Sequence, residues 1–190
     1  LQALPRRFPV LSCSLPPGVP DDFYAQIIKA VRAKSPHLKI VVDVSGPPLR
    51  HALAAGVFLI KPSREEFAAL TDTPAATWHE SVALSQGLIA SGQARVVALT
   101  LGAEGSLMVT AQQAWQVAPL PVTVTSTVGA GDSFVGGLVW AQTQASDWVQ
   151  SARVASACAG AALQTQGALE FDASSVLRDS QNVKVTPLAL

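Results

Sequence analysis

Cysteine is scarce in this sequence, and with it most features that would mark a specialised compartment or surface. Cys13 and Cys158 are too few for a disulfide framework, and they make no metal-ligand spacing with His37, His51 and His79. Both thiols are expected as small buried fillers, Cys158 within an alanine-rich helix, and the three histidines as solvated surface residues. Charge is thin as well: 14% of residues are charged, and 13 Lys plus Arg balance 13 Asp plus Glu. Without a basic excess there is no electrostatic case for nucleic acid or an anionic membrane, which leaves a small molecule as the expected partner. No apolar run approaches the roughly 18 residues that suggest a membrane span. Phe8-Pro9-Val10-Leu11, behind Arg6 and Arg7, is too short for the apolar part of a secretory leader, so the expected compartment is the cytoplasm. Gly-x-Gly-x-x-Gly and Gly-x-x-x-x-Gly-Lys-Ser/Thr are both missing, and neither the dinucleotide fingerprint nor the P-loop is supported. There is no repeat and no low-complexity linker.

What is present is apolar. Of 190 residues, 49% are hydrophobic and mean hydropathy is +0.33. That suffices for one domain with a real core, and the surplus fits a surface that normally packs against a further part of a protein. Short β-branched runs at 8–12, 39–43, 57–60 and 95–101 alternate with amphipathic stretches at 20–35, 49–55, 64–70 and 78–90. This order predicts an α/β fold with right-handed crossovers and a mostly parallel sheet covered on both faces. An antiparallel pair is expected at 106–110 and 114–117, then an extended run at 122–124. Helices follow over 130–144 and 147–163, and one more short helix lies in the tail from Ala173.

The stretch Thr127-Val128-Gly129-Ala130-Gly131-Asp132-Ser133 organises the rest. Small residues before a helix leave several backbone N–H groups free to point one way, and the helix dipole adds positive charge there, so the turn is an anion hole suited to phosphate. Asp132 has two readings: a helix cap, or a base held beside the anion hole to take a proton from an attacking hydroxyl. Lys61, at the end of a buried strand before Pro62, is either a lysine snorkelling over its own strand or a charge placed for a ligand. The turn Thr100-Leu101-Gly102-Ala103-Glu104-Gly105 is either an ordinary β-turn or a place where backbone approaches a nucleotide closely. Gly136 and Gly137 are read as helix-packing glycines.

Ser126-Thr127-Val128 followed by Gly-Ala-Gly-Asp resembles the second signature of the ribokinase-like (PfkB) carbohydrate kinases. Ser12-Cys13-Ser14-Leu15-Pro16-Pro17-Gly18-Val19 and Leu59-Ile60-Lys61-Pro62-Ser63-Arg64-Glu65-Glu66 agree with its phosphofructokinase branch. The resemblance runs from about residue 10 to 167 and covers only the C-terminal part of such a kinase, so 1–190 is read as its nucleotide-binding part, without the N-terminal strands and lid. It implies a three-layer α/β/α fold and ATP-dependent transfer to a hexose phosphate, with 6-phosphofructokinase ahead of 1-phosphofructokinase and tagatose-6-phosphate kinase. A truncated nucleotide-binding chain without turnover is the other reading, and a homo-oligomer or a partner would supply the missing part.

Residue by residue, the resemblance implies Asp132 as base and sugar contact, with the amides of Gly129, Ala130, Gly131 and Asp132 as the anion hole. It implies ATP contacts at Lys61, Ser63, Thr100, Gly102, Gly105 and Gly160, a sugar contact at Ser14, and Mg2+ held through water by Glu66. A potassium ion is implied at the carbonyls of Ser126, Val128, Ala162, Thr165 and Gly167. Two positions depart from the pattern. Ser63 stands where the family has asparagine. Cys13 stands where glycine is usual, in a turn where only glycine enters positive φ without steric cost.

Overall fold

The computed structural model describes residues 8–165 and 172–190. The chain divides into two compact units, residues 1–101 with 107–114 and 188–190, and residues 102–106 with 115–187. The first unit begins β1 (Val10–Ser12), α1 (Phe23–Lys34), β2 (Val41–Asp43), α2 (Gly46–Ala54), β3 (Leu59–Ile60), α3 (Arg64–Thr71), α4 (Trp78–Ala90) and β4 (Val96–Thr100). β1 pairs in parallel with β2, β2 with β3 and β3 with β4, and β5 (Ser106–Thr110) continues the sheet beside β4.

Each crossover from β1 to β4 steps to the next strand in the same direction. A constant direction with a constant hand keeps every connecting helix on one side of the sheet. Accordingly Tyr24 and Ile28 of α1, Leu49 and Leu53 of α2, Phe67 of α3 and Val82 of α4 share one hydrophobic cluster with Val42, Ile60, Val97 and Leu99. The intervening strand residues Val41, Leu59, Val96 and Ala98 point the other way by the two-residue period of a strand, and they too are buried. Strand residues of both faces are therefore buried, and the helices of this unit share the cluster on one of them. Burying a side chain such as Phe67 completely contributes about 1.5–3 kcal/mol, and this cluster is what fixes the strand register.

Local chemistry sets the helix ends. α4 starts at Thr77, whose side chain accepts from the Glu80 amide while the Glu80 carboxylate accepts from the Thr77 amide. α2 begins at Gly46, earlier than the expected 49, because Pro47 and Pro48 fall in the first turn, where a helix needs no N–H donors.

The second unit holds most of β6 (Ala114–Val117), α5 (Ala130–Thr143), α6 (Trp148–Leu163), α7 (Ala173–Ser180) and most of β7 (Val185–Leu188), with β6 beside β7. The 122–124 run forms no strand; Pro119 and Pro121 just before it remove the donors a ladder would use. β7 was not expected, since Pro187 reads as a breaker, but proline is tolerated at a sheet edge. Ala141, Val154, Ala157, Cys158 and Val176 form the core among α5, α6 and α7. Gln142 donates to the Ser151 hydroxyl at 2.9 Å, and that hydroxyl donates to the Asp147 carbonyl at 2.7 Å, so these two buried polar side chains are paired.

Candidate active site

Parallel pairing brings the C-terminal ends of β1 to β4 to one edge, where open α/β sheets place their ligands. In register, Ser12 stands beside Asp43 and Val42 beside Ile60, so Lys61 leaves β3 next to the end of β2. Lys61 is only 8% exposed, and its Nζ lies 3.0 Å from Asp43 Oδ1. The snorkelling reading is thereby corrected, because the ammonium is held inward by a carboxylate. Such a pair adds little net stability, yet removing one partner strands a buried charge at about 3–5 kcal/mol. Sequence reasoning had noted Asp43 only as the end of a strand; the signal available was an acid closing the strand before the one closed by lysine.

One step further, Ser63 is the N-cap of α3. Its Oγ accepts from the Glu66 amide at 3.2 Å, and Glu66 Oε2 accepts from the Ser63 amide at 2.8 Å. The replacement of asparagine by serine thus yields a complete capping box, and the Glu66 carboxylate, expected to serve magnesium, is engaged in capping its own helix. Ser63 Oγ also donates to Glu65 at 2.9 Å. A hydrogen bond from the Glu65 backbone amide, with this hydroxyl, holds the exposed Glu65 carboxyl below the usual glutamate range. Thr100 adds a parallel bridge to Ser63. Its amide and hydroxyl both donate to the Pro62 carbonyl, at 3.0 and 3.3 Å. Lys61, Ser63, Glu66 and Thr100 are therefore brought together, with Thr100 bracing the turn between Lys61 and Ser63.

The turn after β1 carries Ser14, which is exposed. Cys13 adopts φ +80°, the left-handed backbone anticipated for a glycine position. It is exposed, not the buried filler expected. Cys158 is buried as expected, and burial pushes its thiol up to about 11. His37, His51 and His79 are all exposed, as expected.

In the second unit Gly129 is the N-cap of α5 at φ +79°, a conformation that requires glycine here. The first amide of the helix, that of Ala130, reaches Thr127 O at a long 3.4 Å, and the next regular bond is Ser133 N to Gly129 O at 2.9 Å. The amides of Gly129, Gly131 and Asp132 have no acceptor among the described residues, so three donors are left at the positive end of a 14-residue helix. Asp132 sits in the first turn, exposed, and makes no cap hydrogen bond. The cap reading therefore fails, and its carboxylate is open to solvent.

The other expected residues divide. Gly105, at φ +92°, has no room for a side chain, because a Cβ would overlap the Val117 carbonyl oxygen and press on Pro119; its glycine is explained by packing. Gly102, at φ +58°, faces open space. At Gly160 a Cβ would make only ordinary contacts of 3.5 Å with Leu120, so packing alone does not require a glycine there. The amides of Thr125 and Ser126 both bond Leu163 O, at 2.7 and 3.2 Å, which joins two of the segments expected at potassium. Val128 is highly exposed, and its amide bonds Ser126 Oγ at 3.2 Å. The Ala162 carbonyl accepts from the amide and hydroxyl of Thr165, at 3.1 and 2.9 Å. Gly167 lies outside the described residues. Among the described residues no three His, Cys, Asp or Glu side chains gather.

Residues 5–174 match the pfkB family carbohydrate kinase model. The chain belongs to that family. It is 35% identical over 160 residues to the ATP-dependent 6-phosphofructokinase isozyme 2 of Mycobacterium tuberculosis, covering 84% of this chain and 46% of that protein. It is 37% identical over 153 residues to the 1-phosphofructokinase of Xanthomonas campestris, covering 78% and 47%. A crystal structure of phosphofructokinase-2 from Escherichia coli in complex with potassium superposes with a TM-score of 0.84 at 33% identity, covering 92% of this chain and 56% of that one. The pfkB chain described here thus spans about half the length of the curated relatives it matches.

Proposed function

We propose that this chain carries the ATP-binding and proton-abstracting part of an ATP-dependent sugar-phosphate kinase, with fructose 6-phosphate as the acceptor and fructose 1,6-bisphosphate as the product. The observation that carries this reading is the start of α5, where unpartnered amides of Gly129, Gly131 and Asp132 lie beside an uncapped Asp132 carboxylate. Asp132 takes the proton of the acceptor hydroxyl as its oxygen attacks the γ-phosphorus. The bond from that phosphorus to the β-phosphate oxygen breaks, and ADP leaves. Negative charge growing on the transferring group is met by the amides of the turn, donors worth about 3–4 kcal/mol apiece in barrier height. Lys61, braced by Asp43 and by the Thr100 contact to Pro62, supplies positive charge toward the nucleotide phosphates, and Ser14 contacts the sugar phosphate. Glu66 is the carboxylate that would reach the waters of a magnesium ion bound with ATP, an ion that would offset phosphate charge.

A second acceptor, fructose 1-phosphate, is favoured by the similarity to a 1-phosphofructokinase, which matches that to the 6-phosphofructokinase. The test is ADP release from magnesium-ATP, with potassium present and each of fructose 6-phosphate, fructose 1-phosphate and tagatose 6-phosphate offered in turn. Turnover of one names the acceptor. Asp132→Asn is expected to lower that turnover about 10²–10⁴-fold at an unchanged melting temperature, and near-full activity would remove Asp132 as the base. Silence on every sugar, with stabilisation by ATP retained, would leave a nucleotide-binding chain without turnover.

A further inference from the structure

Cys13 is out of place by the ordinary rules of backbone sterics. A residue with a Cβ enters the left-handed region only at a cost, yet Cys13 holds φ +80°. On the far side of the same turn, Gly18 meets the same demand, at φ +85°, with a glycine. What holds the near side is a side chain from α1. Tyr24 is 8% exposed and belongs to the core cluster of the first unit. Its hydroxyl lies 2.9 Å from the Ser12 carbonyl oxygen and 3.0 Å from that of Cys13, and shares its proton between them. These carbonyls belong to the two peptide planes that flank the Cys13 α-carbon. Holding both carbonyl oxygens to one atom bounds their separation and so restrains φ and ψ of the residue between them. Burial, and then the neighbouring Cys13, push the Tyr24 phenol above the ordinary tyrosine range, so it stays a donor. The sequence places its single tyrosine here, where a phenylalanine would fill the same volume without the clamp.

We infer that Tyr24 is the positioning residue of the acceptor-side turn, clamping Ser12 and Cys13 so that Ser14 is held where it meets the sugar phosphate. This rests on the reading of Ser14 as a sugar contact, and two measurements separate the clamp from that reading. The first is the affinity of the 190-residue chain for fructose 6-phosphate and for ATP. Tyr24→Phe is expected to weaken fructose 6-phosphate about five- to tenfold, the loss of one such hydrogen bond, and to leave ATP unchanged. With Cys13→Gly also present, which removes the need for the clamp, the loss should shrink to less than about twofold. If the parent binds the sugar phosphate and Tyr24→Phe does not weaken it, or Cys13→Gly gives no relief, the inference is overturned. The second is urea unfolding of the same four proteins. If the parent binds no sugar phosphate, the proposed acceptor fails, and this cycle alone decides the clamp. A smaller fall in midpoint from Tyr24→Phe in the Cys13→Gly background supports it, and equal falls in both backgrounds overturn it.

Discussion

Gly137 shows how far a single hydrogen atom decides the packing of α5 on α6. A Cβ there would lie 2.6 Å from Cys158 Sγ, 3.0 Å from Cys158 Cβ and 3.1 Å from the Val154 carbonyl oxygen. Reading it as a helix-packing glycine was correct, whereas its neighbour Gly136 faces open space. Gly137→Ala is expected to cost about 1–3 kcal/mol by overpacking, lowering the melting temperature by about 2–4 °C per kcal/mol in a chain of this size. Cys158→Ala removes the nearest atom, so the double variant should lose less than the sum of the two single losses. Strictly additive losses in thermal melts would show that the contact is relieved elsewhere.

The element most open to test is α3, whose capping box uses one residue expected at ATP, Ser63, and one expected at magnesium, Glu66. Ser63→Ala removes the acceptor for the Glu66 amide and should cost about 1 kcal/mol, measured by urea unfolding. Ser63→Asn keeps a good cap and should be close to neutral. If Ser63→Ala were equally neutral, the box would not be what starts the helix. Elements with local signals of this kind were legible: α4 could be bounded at both ends from the sequence because Thr77 and Glu80 cap its start and Gly92, at φ +75°, follows its end, and the limits of β5 and β6 were also readable. α2 and β7 were less so, because proline is a breaker in most settings and is tolerated only at a helix start or a sheet edge. The unpaired amides at the start of α5 were readable, since Gly129, Ala130 and Gly131 are small residues that follow one another at the helix start. The Asp43–Lys61 pair was not, because it exists only once β2 and β3 are in register. Nor could the sequence say that α1 to α4 share one face, since the direction in which a sheet grows leaves no local mark.

At the scale of the whole molecule, the buried thiol of Cys158 ties stability to pH. Its value rises from an ordinary 9.0 to about 11 on folding, so the folded state keeps a proton that the unfolded chain gives up. The corresponding stability is full below about 9 and is lost as pH rises toward about 11. Urea midpoints should fall over that window, and Cys158→Ala should flatten the fall; an unchanged slope would assign it to other groups. The order of strands β1 to β5 has a consequence for synthesis. Each of these strands pairs with the one made just before it, so none must wait for a later segment before it finds its neighbour. As the chain leaves the ribosome the sheet can lengthen one strand at a time, with the newest strand always its growing edge. Each parallel pairing must still close a crossover, from Val10 to Val41, from Val41 to Leu59 and from Leu59 to Val96, so every added strand carries its own loop-closure cost.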